Sequence, residues 1–143
     1  MKFENYMILE FPSKSSNEAF ARSAVACFAA QLDPTVEELG DIRTAVSEAV
    51  TNAIVHAYPD ELGLVSLRCR ILKGQVLDIV VKDRGVGIAD IEQAMRPMYT
   101  TGGSDRSGMG FTIMESFMST LEITSAPGKG TTVHMRRKLQ RKR

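Results

Sequence analysis

The stretch from Thr35 to about Tyr58 constrains this chain most, because it reads as one long helix with a chemically marked side. Leu39, Ile42, Val46, Val50, Ala53 and Ala57 recur at the spacing of a helix face. Thr35-Val36-Glu37-Glu38 supplies a capping box at its start. Within this apolar pattern Glu48, Asn52 and His56 fall four apart and stack along one stripe. Polar groups beside a core need partners or a ligand. An asparagine amide oxygen suits a hard cation such as Mg²⁺, and a neighbouring glutamate can polarise a hydroxyl or a water. Taken alone, the stripe reads almost as well as a solvent-facing edge.

The flanking segments say what the helix packs against. Tyr6 to Pro12 reads as a strand, and Ser15-Ser16-Asn17-Glu18 as the capping box of a first helix. Ala21, Ala24, Val25, Phe28, Ala29 and Leu32 form its inner face, and Asp33-Pro34 ends it. Beyond the long helix the period changes to two. Val65, Leu67, Cys69 and Ile71 alternate with Ser66, Arg68 and Arg70, and Lys73-Gly74 turns the chain into a second strand, Gln75 to Lys82. Leu121, Ile123 and Ser125 alternate with Glu122 and Thr124. Pro127-Gly128-Lys129-Gly130 then turns into a last strand, Thr131 to Arg136. A short helix near Ile91, a Gly/Ser-rich loop and a helix from about Gly110 to Met118 lie between these hairpins. The pattern predicts an α+β sandwich with the helices on one face of a mixed sheet.

Composition supports a single folded unit. The 143 residues are 43% hydrophobic and 24% charged, enough to bury roughly two-thirds of the unfolded surface in one core. Residues 1–135 are read as one domain and 136–143 (RRKLQRKR) as a basic, disordered tail. That tail holds six of the 18 basic residues, leaving 12 against 17 acids elsewhere. An acidic body and a tail without interleaved aromatics argue against DNA binding. No apolar run approaches the roughly 20 residues that span a bilayer. Cys27 and Cys69 lack metal-ligand spacing and are read as buried free thiols of a reducing cytoplasm. The first residues show no signal-peptide pattern.

Three further motifs follow the helix stripe. Asp83-Arg84-Gly85-Val86-Gly87 places an acid at a strand end before two glycines, so that backbone can approach a flat ligand while the carboxylate accepts from an amino group. Arg106-Ser107-Gly108-Met109-Gly110-Phe111 is a glycine pair opening a helix, whose free N–H groups suit phosphate. Gly130-Thr131-Thr132 enters the final strand. The dinucleotide fingerprint, the P-loop and the eukaryotic kinase signatures are all missing.

In this order the four features resemble the ATP-binding domain of the GHKL superfamily, the group of gyrase and the histidine kinases. Glu48 to Asn52 matches its N box, Asp83-x-Gly85-x-Gly87 its first glycine box and Gly108-x-Gly110 its second, over roughly residues 36–135. The wording EAVTNAIVHAY and RSGMGFTIMESFM is most similar to the bacterial anti-sigma serine kinases. The resemblance implies a two-layer sandwich of the Bergerat type with a mostly antiparallel sheet, binding ATP or ADP with Mg²⁺. It implies Asn52 as the Mg²⁺ ligand, Glu48 as the base for a serine hydroxyl, and Asp83 as acceptor for the adenine amino group with Thr132 beside the ring. Gly85 and Gly87 would pass close to the base. Thr100, Thr101, Ser107, Gly108, Met109 and Gly110 would form the lid and the phosphate-facing helix start. Arg106 would reach the γ-phosphate, a role that weighs about equally with that of a surface arginine. His56 could orient Glu48, touch phosphate or be structural. Only one strand and one helix precede the long helix, which leaves no room for a histidine-bearing dimerisation module and points to action on a separate protein. The partners implied are sigma factor F, an anti-anti-sigma protein as phosphorylation substrate, and a second copy of the chain, with no DNA and no membrane. Asn17, Glu18 and Arg22 on the first helix are the candidate partner contacts, and the plainer reading of Glu18 and Arg22 is an exposed ion pair. A nucleotide-gated sigma-binding module without kinase activity, and the general-stress relative of the kinase, remain as alternatives.

Overall fold

A computed structural model of the chain describes residues 2–95 and 110–140. Strand β1 (Asn5–Pro12) leads into helix α1 (Ser16–Ala29), a single 3-10 turn (Ala30–Leu32) and the long helix α2 (Val36–Val55). Strands β2 (Leu64–Leu72) and β3 (Val76–Asp83) form a hairpin. They are followed by the short helix α3 (Ile91–Ala94), helix α4 (Gly110–Phe117), and strands β4 (Thr120–Ser125) and β5 (Thr131–Lys138). The sheet order is β1-β2-β3-β5-β4.

Every pairing among the described strands is antiparallel, where the sequence led us to expect a mixed sheet. The helical segment after β3 does return the chain so that β4 runs in the same direction as β3. Strand β5 then folds back between them and pairs with both. The two-layer α+β sandwich itself is as expected. Val65, Leu67, Cys69, Ile79, Val81, Val133 and Met135 face Ile42, Val46, Val50, Val25, Phe28 and Met114 in one core. Burial pushes the Cys69 thiol up to about 12, so it is inert packing. Cys27, by contrast, is exposed on α1 and does not join the core as expected.

Helix ends show where local signals held and where they failed. Thr35 and Glu38 make the expected capping box, Thr35 N–H donating to Glu38 Oε1 at 2.9 Å and Glu38 N–H to Thr35 Oγ1 at 3.0 Å. Ser15 makes no such bond, because its own backbone is already helical (φ −58°, ψ −32°) and its side chain cannot turn back over the first amides. Glu18 pairs instead with Arg22 at 3.2 Å. Asp33 stops the 3-10 turn in the left-handed region at φ 53°, a conformation that aspartate tolerates, just before Pro34.

The chain end is tied down further than the sequence suggested. Arg136, Arg137 and Lys138 belong to β5, and Leu139 is buried, against the expected loose tail from residue 136. Alternation sends Arg136 to Asp78 and Arg137 to Asp41, so each basic side chain finds a carboxylate on its own face. Gln140 N–H donates to Glu38 Oε2 at 2.7 Å, locking β5 to the start of α2. Residues 141–143 lie outside the described residues.

Glu38 therefore closes two elements at once. Burial alone would raise its pKa, but hydrogen bonds from Thr35 and Gln140 outweigh it and hold the carboxyl below 4.5. Its contribution is complete above pH 4.5 and is lost as the pH falls through the depressed folded value. Glu38→Ala is expected to cost about 1–2 kcal/mol at neutral pH. Calorimetric melts of variant and wild type should show the midpoints several degrees apart, and equal midpoints would remove Glu38 from the stabilising set.

Candidate active site

The stripe on α2 and the turn after β3 meet at one cavity of about 470 Å³, lined among others by Asn52, His56, Asp83, Ile88, Gly110 and Thr131. That volume is within the range of small-ligand sites. Asn52 is on its wall, and His56 ends α2 with its N–H on the Asn52 carbonyl at 3.0 Å. Glu48 lies one turn earlier and does not line this cavity. It lines a smaller groove between α1 and α2 with Arg22, Gly40, Arg43, Thr44 and Ser47.

Gly110 lines the main cavity and lies beside Glu48. A Cβ added there would lie 3.0 Å from Glu48 Oε2 and 3.2 Å from Asn52 Nδ2. Both polar side chains thus converge on the first residue of α4, where helix geometry leaves N–H groups without intrahelical partners. The absence of a side chain at Gly110 keeps this corner open. Such a corner suits an anionic group with a hard cation. Among the described residues no cluster of three or more His, Cys, Asp or Glu could hold a metal by itself. The donors present fit Mg²⁺, which commonly takes one or two protein oxygens and completes its shell with phosphate and water.

Asp83 is 6% exposed at the far wall. Its Oδ1 accepts N–H bonds from Gly85 at 3.0 Å and Thr131 at 3.1 Å. Burial outweighs those two bonds and raises the carboxyl above its ordinary 3.8. With Oδ1 held in place, Oδ2 is the oxygen left to meet a ligand donor. The turn beyond is packed too closely for side chains: a Cβ at Gly85 would lie 2.0 Å from the Ala57 carbonyl oxygen, and one at Gly87 2.0 Å from that of Ala126. Gly87 also has φ 76°, which favours glycine. Both glycines are thus dictated by packing, Gly85 against Ala57 and Gly87 against Ala126.

Thr132, expected beside a bound base, stands on the opposite face of the sheet, paired with Lys82. Its neighbour Thr131 is the one in the cavity, paired with Asp83. A shift of one residue in a strand reverses the face. The parity was available in the sequence, since Val133 and Met135 are the apolar members of that strand. Ser125 was missed altogether. Its hydroxyl accepts from Ile88 N–H at 2.8 Å and sits 2.8 Å from Thr131 Oγ1, bracing the cavity wall. Thr100, Thr101, Arg106, Ser107, Gly108 and Met109 lie outside the described residues.

Fold and site together define an ATP-binding domain of the GHKL class, and the sequence model described as the histidine kinase-like ATPase domain matches residues 11–137. The anti-sigma F factor of Caldanaerobacter subterraneus subsp. tengcongensis is 54% identical over 100% of both chains. That of Clostridium beijerinckii is 56% identical over 94% of this chain and 95% of its own. The solved structure of the RsbU and RsbW domains of a Mycobacterium tuberculosis protein shares the fold, with a TM-score of 0.70 at 18% identity over 96% of this chain and 33% of that one. The chain belongs to the histidine kinase-like ATPase domain family, in the branch of its anti-sigma F factor relatives.

Proposed function

We propose that the chain is an anti-sigma factor that holds sigma factor F in its nucleotide-bound state and phosphorylates a serine of an anti-anti-sigma protein. The observation that carries this reading is the convergence of Glu48 and Asn52 on the start of α4, at one end of a cavity whose other end presents Asp83. ATP fits that span, with adenine at Asp83 and Thr131 and phosphates at Asn52 and Gly110. The Asn52 amide oxygen would hold Mg²⁺, which would offset phosphate charge there. Glu48 takes the proton of the incoming serine hydroxyl. The serine oxygen bonds to the γ-phosphorus as its bond to the ADP oxygen breaks, leaving phosphoserine and ADP.

The groove beyond Glu48 offers the approach for the serine, and Arg22 on its rim can meet the partner. Arg22 is held by Glu18, and the Asn17 amide donates to the Pro12 carbonyl at 2.9 Å, so these three residues form a braced edge rather than loose side chains. The protein works in the cytoplasm as a homodimer in this reading. A second reading, a nucleotide-gated sigma-binding module without kinase activity, draws on the placement of Glu48 outside the main cavity.

Transfer from labelled ATP to a purified anti-anti-sigma protein decides between them. Wild type should transfer phosphate. Glu48→Gln should bind ADP normally and lose about 10²- to 10⁴-fold in rate, the usual weight of a general base. Tight ATP binding without transfer by wild type would favour the module.

A further inference from the structure

We propose that Tyr58 is a positioning residue for the base end of the cavity, setting how Asp83 meets an adenine amino group; this rests on the ATP reading above. Three successive amides after Asp83 are each held by a different group. Arg84 N–H donates to the Tyr58 hydroxyl at 2.7 Å, Gly85 N–H to Asp83 Oδ1 at 3.0 Å, and Val86 N–H to the Ala57 carbonyl at 2.9 Å. Residues 57 and 58 directly follow His56, so the end of the α2 stripe grips the turn that orients the carboxylate.

Tyr58 is itself fixed. Its hydroxyl donates to the Leu64 carbonyl at 2.8 Å, next to Val65, which pairs with Asp83. One hydroxyl thus spends its proton on β2 and its lone pair on the turn. The ring is seated on Gly63, where a Cβ would come within 2.2 Å of it. Gly63 is anchored in turn by a reciprocal pair with Ser13, N–H to Oγ at 2.9 Å and Ser13 N–H to the Gly63 carbonyl at 2.8 Å. Strand β1, the 58–63 loop and the Asp83 turn form one brace, with Tyr58 at its centre.

Tyr58→Phe keeps the ring on Gly63 and deletes only the hydroxyl. The two groups it leaves are near solvent and can bond water, so the fold should melt where wild type does. The readout is selectivity between ADP and inosine diphosphate, which differ at the 6-position that Asp83 would contact, measured by competition against a fluorescent nucleotide. Wild type should prefer ADP. In the variant ADP should weaken about tenfold, the weight of roughly one hydrogen bond, while inosine diphosphate changes little, so the ratio contracts. An unchanged ratio, with both affinities kept or both lowered alike, overturns the proposal and leaves Tyr58 purely structural. A wild type without preference overturns the role of Asp83, and one that binds neither nucleotide overturns the ATP reading itself.

Discussion

Asp83→Asn should raise the Kd for ADP by about 100-fold while leaving the melting temperature equal to or above that of wild type. The two effects separate because the carboxylate serves the ligand at the expense of the fold. Its raised pKa means that the ionised form is disfavoured by burial, which the Gly85 and Thr131 amides only partly offset. Asparagine keeps an oxygen for those amides and removes the buried charge, so the folded state loses nothing. Its Nδ2 group then faces the ligand amino group, donor against donor. Losing a bond to a charged acceptor and gaining an unpaired donor comes to about 3 kcal/mol, or about 100-fold. Calorimetric titration with ADP and a thermal melt of the same sample measure both. A variant that binds ADP like wild type would remove Asp83 from the base site.

The sign of the pH dependence follows from the same carboxyl. A raised folded value means that ionising Asp83 costs stability as pH rises, whereas ligand binding needs the ionised form. ADP affinity should therefore fall on acidification, starting from a higher pH than the 3.8 of an ordinary aspartate would dictate.

Asp78→Ala should destabilise the fold by about 2–4 kcal/mol and about 10 °C in Tm. Asp78 sits on the sheet face away from the helices, yet is 0% exposed. Arg70 Nε donates to its Oδ2 at 3.1 Å and Arg136 Nε to its Oδ1 at 2.7 Å, with His134 Nε2 at 2.5 Å and Arg68 at 4.0 Å. The Phe3 ring covers the Arg70 guanidinium at 5.4 Å. Removing the carboxylate leaves Arg68 and Arg70 of β2 and Arg136 of β5 without their shared counter-charge. The arginines can reach water, which keeps the cost at the lower end of that for a broken buried pair. Burial by itself would raise the Asp78 carboxyl, but the bonds from His134, Arg136 and Arg70 hold it below 3.8. Its contribution is thus present above pH 3.8 and lost as pH falls through the depressed value. Denaturant melts at neutral pH check the size, and a neutral Asp78→Ala would mean that the cluster adds no net stability.

Much of this site could be read locally. Glu48 and Asn52 share a face because helical spacing is arithmetic, and the parity of Ile79 and Val81 sends Asp83 toward the core. The capping box at Thr35 followed from four adjacent residues. The failures had different causes. Ser15 does not cap because its own backbone is already helical. Arg136 and Arg137 look like a solvated tail until Asp78 and Asp41 are brought to either face of β5. Thr131 rather than Thr132 enters the cavity by the parity of Val133 and Met135, a local signal that the resemblance pointing to Thr132 overrode.

Periodicity and turn chemistry, both written within a few residues of one another, determined by themselves the strands, the helices, the α+β class and the order of the nucleotide motifs. Only the tertiary structure decided which polar groups share a buried space. Asp78 is enclosed by side chains from β2 and β5, Glu38 by the amide of Gln140, and the Asp83 turn by the hydroxyl of Tyr58. Burial and acidity constants depend on neighbours that are distant in sequence, and the packing of the sheet against its helices is what brings them together.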